Sequence, residues 1–108
     1  MAQNYKVLGQ QNPTANTLTT LYSVPSSNQA VLSTVSICNL GPTPAAYSIA
    51  VRPAGASISN THYVVYRAAV ANNDSVMMTL GISLGNTDVL SVNANTSLVA
   101  FHAYGVEM

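Results

Sequence analysis

Residues 76–84, with the sequence VMMTLGISL, carry large apolar side chains at every second position: Val76, Met78, Leu80, Ile82 and Leu84. Successive side chains of a β-strand point to opposite faces, so these five share one face. The other face carries Met77, Thr79, Gly81 and Ser83. This alternation predicts a strand of an antiparallel sheet with one face buried and one face exposed.

The same period of two recurs along the chain. Tyr47, Ile49 and Val51 are predicted to share one face, and Val31, Val35 and Ile37 to share a face with Ser33. The stretch 63–70 is apolar on both faces apart from Arg67, which predicts a strand covered on both sides. Val, Ile and Thr together occupy 27 of the 108 positions, and these β-branched residues favour strands.

Turn-forming residues separate the apolar runs at nearly regular intervals and predict about eight strands. The predicted spans are 5–9, 17–24, 30–39, 45–52, 61–70, 75–84, 88–93 and 97–106. The connections are too short for parallel crossovers, so the fold class is an all-β, antiparallel β-sandwich, either Ig-like or jelly-roll-like. Residues 1–16 read as an irregular N-terminal arm that docks on a partner, and residues 17–108 as the sandwich domain.

Charged residues make up 6% of the chain, with three Lys or Arg and three Asp or Glu, against about 25% in an average soluble domain. Three scattered cations cannot form the basic face that nucleic acid or an anionic membrane surface requires. No apolar run approaches the ~20 residues of a membrane-spanning helix, and no secretory signal is visible. We therefore expect synthesis in a cytoplasm, with no nucleic-acid or membrane partner.

The titratable residues form no recognisable catalytic or metal-binding motif. His62 and His102 lie on different predicted strands without a carboxylate or Cys at ligand spacing, which argues against a metal site. Cys38 ends an apolar strand and is interpreted as a small buried hydrophobic residue. We therefore expect a protein that is not an enzyme and that uses neither a cofactor nor a metal.

A sandwich of this size must expose a surface of mostly Ser, Thr, Asn, Gln and Ala. Such a neutral surface loses little hydration energy in close protein contact, so it suits a subunit of a homo-oligomer or larger assembly. Tyr63 and Tyr66 are predicted to lie on opposite faces of one strand, which argues against an aligned aromatic platform. The candidate interface residues are Tyr5, Val7 and Leu8 in the arm, together with Arg52, Tyr63 and Arg67.

A family resemblance is carried by residues 12–25, NPTANTLTTLYSVP, and by residues 29–39, QAVLSTVSICN. Residues 47–53, YSIAVRP, and 88–92, DVLSV, also fit. Over residues 4–105 the sequence resembles small virion proteins of tailed bacteriophages, including cyanophages. Such β-sandwich modules occur in head decoration (cement) proteins and in tail fibres and baseplates, and they bring no catalytic residues.

The resemblance implies a location in the phage virion and a decoration role that stabilises the head shell. The implied partner is the major capsid protein, and a homotrimer is the favoured assembly. A short chain with its own Met1 and no fibrous repeat favours decoration over the alternative, a tail-fibre, baseplate or tail-tip component. A further alternative, from a different class, is a carbohydrate-binding module.

Overall fold

A computed structural model describes residues 4–108 and contains two four-stranded antiparallel sheets, which confirms the predicted β-sandwich. The strands are β1 (Asn4–Gln11), β2 (Thr19–Ser23), β3 (Ala30–Asn39), β4 (Ala45–Arg52), β5 (Tyr63–Val70), β6 (Ser75–Leu84), β7 (Val89–Ala94) and β8 (Val99–Glu107). Two short 3-10 turns, Pro53–Gly55 and Asn60–His62, lie in the connection from β4 to β5. No helix in the described part of the chain is long and apolar enough to span a membrane.

The order of the strands identifies the sandwich as a jelly roll. Sheet A has the order β1-β8-β3-β6, and sheet B has the order β2-β7-β4-β5. From β1 to β4 the chain changes sheet at each strand, and the last strand pairs with the first. An Ig-like sandwich instead keeps its first two strands side by side in one sheet, so the structure selects between the two predicted alternatives.

The core lies between the sheets and is centred on the single Phe of the chain. Phe101 on β8 is fully buried, and its ring meets Tyr47 on β4 edge to face with 6.4 Å between the ring centroids. Leu32 and Ile37 of β3 and Leu90 of β7 are also fully buried. Side chains from the inner faces of both sheets therefore form one continuous apolar layer.

Strand β6 follows the predicted alternation, since its apolar positions are more buried than the positions between them. Strand β5 differs from the prediction, because it is the outer strand of sheet B and not a strand covered on both sides. Val64 and Tyr66 are exposed there, and Arg67 is exposed as well. Tyrosine and valine are tolerated at this edge because apolar side chains are common on protein surfaces.

A bulge in β3 changes which side chains share a face. The pairing of β3 with β8 shifts between Leu32 and Thr34, so Ser33 is an extra residue relative to β8. Val35 and Ile37 point into the core, whereas Val31 points out of the sandwich between the buried Ala30 and Leu32. The predicted common face of Val31, Val35 and Ile37 is therefore wrong. Cys38, predicted to be buried, lies next to Ile37 on the outer face and is only partly buried.

The predicted N-terminal arm contains a strand of sheet A. Within it, Asn4–Gln11 pairs antiparallel with β8 over almost its whole length, with a bulge at Leu8. Residues 1–3 lie outside the described residues. Docking of this segment on a partner remains a prediction, and any docking surface on residues 4–11 belongs to the edge of the sandwich.

Gly105 allows a close approach of the β8 backbone to the β3 backbone in sheet A. A Cβ atom at this position would lie 2.0 Å from the carbonyl oxygen of Val31, at the start of the β3 bulge. We expect Gly105→Ala to destabilise the fold by about 1–3 kcal/mol, because backbone atoms must move to admit the methyl group. The measurement is the free energy of unfolding in urea.

Gly85→Ala is the matched control for this prediction. A Cβ atom at Gly85 would meet Asp88 Oδ2 at 3.5 Å, an ordinary contact. We expect its effect on the unfolding free energy to be within about 0.5 kcal/mol. Equal effects of the two substitutions would show that the approach at Gly105 is not a tight constraint.

Candidate interaction surface

An apolar hollow lies on the outer face of sheet A, at its β1 edge. It encloses about 570 Å³ and is open to solvent. Its lining is mainly apolar and aromatic: Tyr5, Val7, Val31, Tyr104 and Val106, with Lys6, Ser33 and Gly105. We call this hollow the β1–β8 groove.

Cross-strand pairing brings these residues together. Tyr5 lies opposite Val106 on β8, and Val106 lies opposite Val31 on β3, so the three form one row across the sheet. Val7 lies opposite Tyr104 and forms the next row. Side chains at directly opposed positions stand about 4.5–5.5 Å apart at Cβ, which makes the rows a continuous apolar surface.

A single carboxylate links the β1 edge to the opposite sheet. Glu107 accepts hydrogen bonds from Lys6 Nζ at 2.9 Å and from the Tyr22 hydroxyl at 2.5 Å. Tyr22 belongs to β2 in sheet B, so the contact bridges the two sheets beside the groove. Hydrogen bonds from Tyr22 and then from Lys6 hold the pKa of Glu107 below its usual value.

The structure separates the predicted interface residues into distinct places. Tyr5 and Val7 line the groove, whereas Leu8 is partly buried and packs against the core. Arg52 is occupied within its own chain, since its Nε donates to Ser91 Oγ at 3.1 Å and an Nη donates to the Ala56 carbonyl at 3.1 Å. These bonds hold the β4–β5 connection against sheet B.

Tyr63 and Arg67 lie on β5, far along the chain from the groove residues, in the other sheet. The prediction that Tyr63 and Tyr66 point to opposite faces is wrong. Their rings meet edge to face with centroids 4.9 Å apart, because a bulge between Tyr63 and Val65 inserts an extra residue into β5. The extra residue, Val64, returns both tyrosines to the outer face.

The histidines have local partners. His62 Nδ1 accepts a hydrogen bond from the Ser59 backbone at 3.2 Å in the 3-10 turn, and His102 Nδ1 lies 3.1 Å from the Tyr104 hydroxyl. Within residues 4–108, no three His, Cys, Asp or Glu side chains are grouped closely enough to hold a metal ion.

Of the five apolar and aromatic residues that line the groove, sequence reasoning missed three: Val31, Tyr104 and Val106. The alternation of β8 predicts that Ala100, His102, Tyr104 and Val106 point outward. Two of them, Tyr104 and Val106, are apolar or aromatic and could have been recognised as candidates for a surface patch. An outward Val or Tyr becomes informative only when its cross-strand neighbours are known. Those neighbours depend on register, which the sequence pattern of a single strand does not report.

No family model and no curated protein sequence matches this chain. Among solved structures, one similar chain is a pentameric capsid protein isolated from metagenomic phage sequences, at 16% sequence identity and a TM-score of 0.34. The match covers 97% of this chain and 60% of that chain, so this chain spans about three fifths of the length of that protein. A TM-score this low supports no conclusion about fold or function.

The contacts of Glu107 predict a pH dependence of stability. Because its pKa is lower in the folded state, its contribution is fully present above the unfolded value of about 4.3 and is lost as pH falls through the folded value. We expect Glu107→Gln to be less stable than the parent protein at pH 7. The difference in unfolding free energy between the parent protein and Glu107→Gln should become smaller below about pH 4. Urea unfolding between pH 2.5 and 7 measures this.

Asp74→Asn provides the control. Asp74 is exposed, and its Oδ1 accepts only the adjacent Ser75 backbone N–H, a bond that an amide oxygen also accepts. We expect no comparable gap at pH 7 for this variant. If the difference in unfolding free energy between the parent protein and Glu107→Gln stayed constant from pH 7 to pH 2.5, the stabilising role of the Glu107 carboxylate would be contradicted.

Proposed function

We propose that this protein is a non-enzymatic structural subunit of a phage virion, and specifically a head decoration (cement) protein that docks through the β1–β8 groove. The groove is the observation that supports docking at this surface. The family resemblance supports a location in the virion. Tyr5 and Val7 are exposed on an open sheet face although the chain has ample polar residues for its surface. Exposed apolar surface of this kind typically marks sites of protein–protein contact.

The energetics of the groove favour a protein partner. Each square ångström of apolar surface removed from water contributes roughly 25 cal/mol to the free energy of binding. The exposed side chains of Tyr5 and Val7 supply much of that surface. Lys6, the only charged residue of the lining, is already neutralised by Glu107. Docking therefore buries apolar groups without stripping water from an unpaired charge.

The proposed mechanism is reinforcement of the head shell by added contact area. The partner is the major capsid protein, and copies of the chain associate as a homotrimer across capsomer boundaries. Each edge strand also presents unpaired backbone groups, which docking or self-association covers. The contact energy gained across subunit boundaries opposes the outward pressure of the packaged genome without contact to nucleic acid.

Val7→Ser tests the groove, with Val64→Ser as a matched control. The two valines are nearly equally exposed, at 48% and 45%, but Val64 lies on β5 in the other sheet. We expect Val7→Ser to weaken binding to capsids that lack the protein by about 10-fold, and Val64→Ser to change it less than about 2-fold. Quantitative co-sedimentation with such capsids gives the affinities, and sedimentation velocity of the free chain tests for the trimer.

Copy number in purified virions tests the decoration role. Quantitative mass spectrometry should find on the order of hundreds of copies per particle, as expected for a lattice covering. A few to a few dozen copies would instead assign the chain to a tail fibre, baseplate or tail tip. Complete absence from purified particles would refute a virion role of either kind.

A further inference from the structure

A second hollow, unrelated to the β1–β8 groove, lies on the outer face of sheet B. It has a volume of about 220 Å³ and is lined by Asn16, Ala46, Ser48, Arg67, Asn93, Ala94 and Asn95. The β4–β5 connection covers a neighbouring part of this face, where Arg52 bonds to Ser91, but leaves this part open. Small alanines beneath three asparagines produce a polar depression in an otherwise flat sheet.

The amide groups of the hollow have bonding capacity left. Asn95 Oδ1 accepts from the Ala46 backbone at 3.0 Å, which leaves its NH₂ group to donate. The side chains of Asn16 and Asn93 have no hydrogen-bond partner among residues 4–108. The hollow therefore offers several donors and acceptors on a short stretch of surface.

Arg67 differs from Lys6 and Arg52, whose charged groups donate hydrogen bonds within the chain. Its guanidinium lies over the Tyr66 ring, 5.2 Å from the centroid, and makes no hydrogen bond or ion pair within residues 4–108. The three side-chain carboxylates already accept other bonds: Asp74 from Ser75, Asp88 from Ala54 and Gly85, and Glu107 from Lys6 and Tyr22. The exposed guanidinium of Arg67 is therefore open to an anion from outside the chain.

The backbone holds Arg67 in an uncommon conformation. Its φ is +52°, in the left-handed region that costs a non-glycine residue energy. The buried Ser48 hydroxyl accepts the Arg67 N–H at 3.0 Å and fixes the conformation. A second bulge in β5, where the pairing with β4 shifts between Val65 and Ala68, thus places the start of the Arg67 side chain at the rim of the hollow, with Tyr66 beside it.

An aromatic depression lies on the other side of Tyr66. It measures about 350 Å³ and is lined by Tyr63, Tyr66 and Asn60. The edge-to-face pair of tyrosines combines apolar ring surface with hydroxyl groups. Tyr66 and Arg67 therefore stand between an amide-lined hollow and an aromatic one.

We propose that this surface binds an acidic saccharide, a glycan unit that carries a carboxylate. The guanidinium of Arg67 pairs with the carboxylate in a fork geometry, and the amides of Asn16, Asn93 and Asn95 bond to the hydroxyl groups. The apolar C–H face of a neighbouring sugar packs on Tyr63 and Tyr66. The inference goes beyond the virion role and does not depend on it.

The arrangement favours a saccharide over an acidic protein segment. Amide side chains both donate and accept, as sugar hydroxyl groups do, and three of them share one concave site. The lining of this hollow, among the described residues, includes no aromatic or Met side chain, whereas the core of a protein interface is enriched in both. The open hollows are at or below the lower end of the usual ligand-pocket range of about 300–1,000 Å³, which suits single sugar rings.

The test is an NMR titration of the full chain with two matched pairs of glycans. The pairs are trigalacturonic acid with neutral galactotriose, and sialyllactose with lactose. We expect each acidic member to bind about 10-fold more tightly than its neutral partner and to shift the side-chain amide signals of Asn93 and Asn95. Added salt should weaken only the acidic members.

Arg67→Gln should abolish the preference for the acidic members, and Asn93→Ala should weaken binding to them. Lys6→Gln removes an equal charge from the opposite sheet and should leave the preference unchanged. Circular dichroism and thermal unfolding confirm that each variant is folded. Equal binding of acidic and neutral glycans, or an unchanged preference in Arg67→Gln, would overturn the proposal.

The last probe of the binding experiment is a glutamate-rich peptide. Binding of this peptide through Arg67, with none of the four glycans bound, would overturn the saccharide and assign the surface to an acidic protein segment. Absence of binding by all probes would refute a ligand site on this face. Neither outcome bears on capsid binding by Val7→Ser, so the two proposals can fail separately.

Discussion

The contact of Phe101 with Tyr47 joins the two sheets, and the rest of the sandwich is arranged around it. Each ring comes from a strand in the middle of its sheet, so the contact lies near the centre of the core. The chain has only seven aromatic residues and no Trp, so few other side chains can fill the space between sheets packed about 10 Å apart. The remaining core consists mainly of Val, Leu, Ile and Ala, which suit the interdigitated layer on either side of this pair.

The outer faces of the sheets differ because of what covers them. Sheet B carries small side chains under the β4–β5 connection, and Ser91 and Ala50 are buried there although they point away from the core. In the groove region of sheet A, larger apolar residues remain accessible. The same fold thus presents an apolar surface on one side and a polar one with a free cation on the other.

The scarcity of charge makes the position of each charged residue informative. Lys6 and Glu107 pair at the β1 edge, Arg52 and Asp88 hold the β4–β5 connection, and Asp74 caps a turn. Five of the six charged residues therefore have a structural contact within the chain. The guanidinium of Arg67 instead makes no hydrogen bond or ion pair among residues 4–108 and lies over the Tyr66 ring, and Arg67 is also one of the few non-glycine residues with a left-handed backbone.

The sequence by itself determined the class of the fold, the eight strands and most of the inward positions. Alternation in β6 and β4 is local, because a strand with one apolar face can be buried in only one way. Tyr5, Val7 and Leu8 were predicted as interface residues of the arm; Tyr5 and Val7 are exposed, whereas Leu8 packs against the core. The strands alone did not distinguish an Ig-like order from a jelly roll, because pairing partners lie far apart in the sequence.

Only the tertiary structure decided which outward residues meet. The bulges at Ser33 and Val64 put the residues before and after them out of the simple alternation. Val31, before the first bulge, therefore lies in the groove, and Tyr63, before the second, lies beside Tyr66. Asn16, Asn93 and Asn95 look like ordinary turn and strand residues until the fold brings them to one hollow. Register and bulges depend on contacts between distant strands, and for that physical reason a period of two within one strand cannot reveal them.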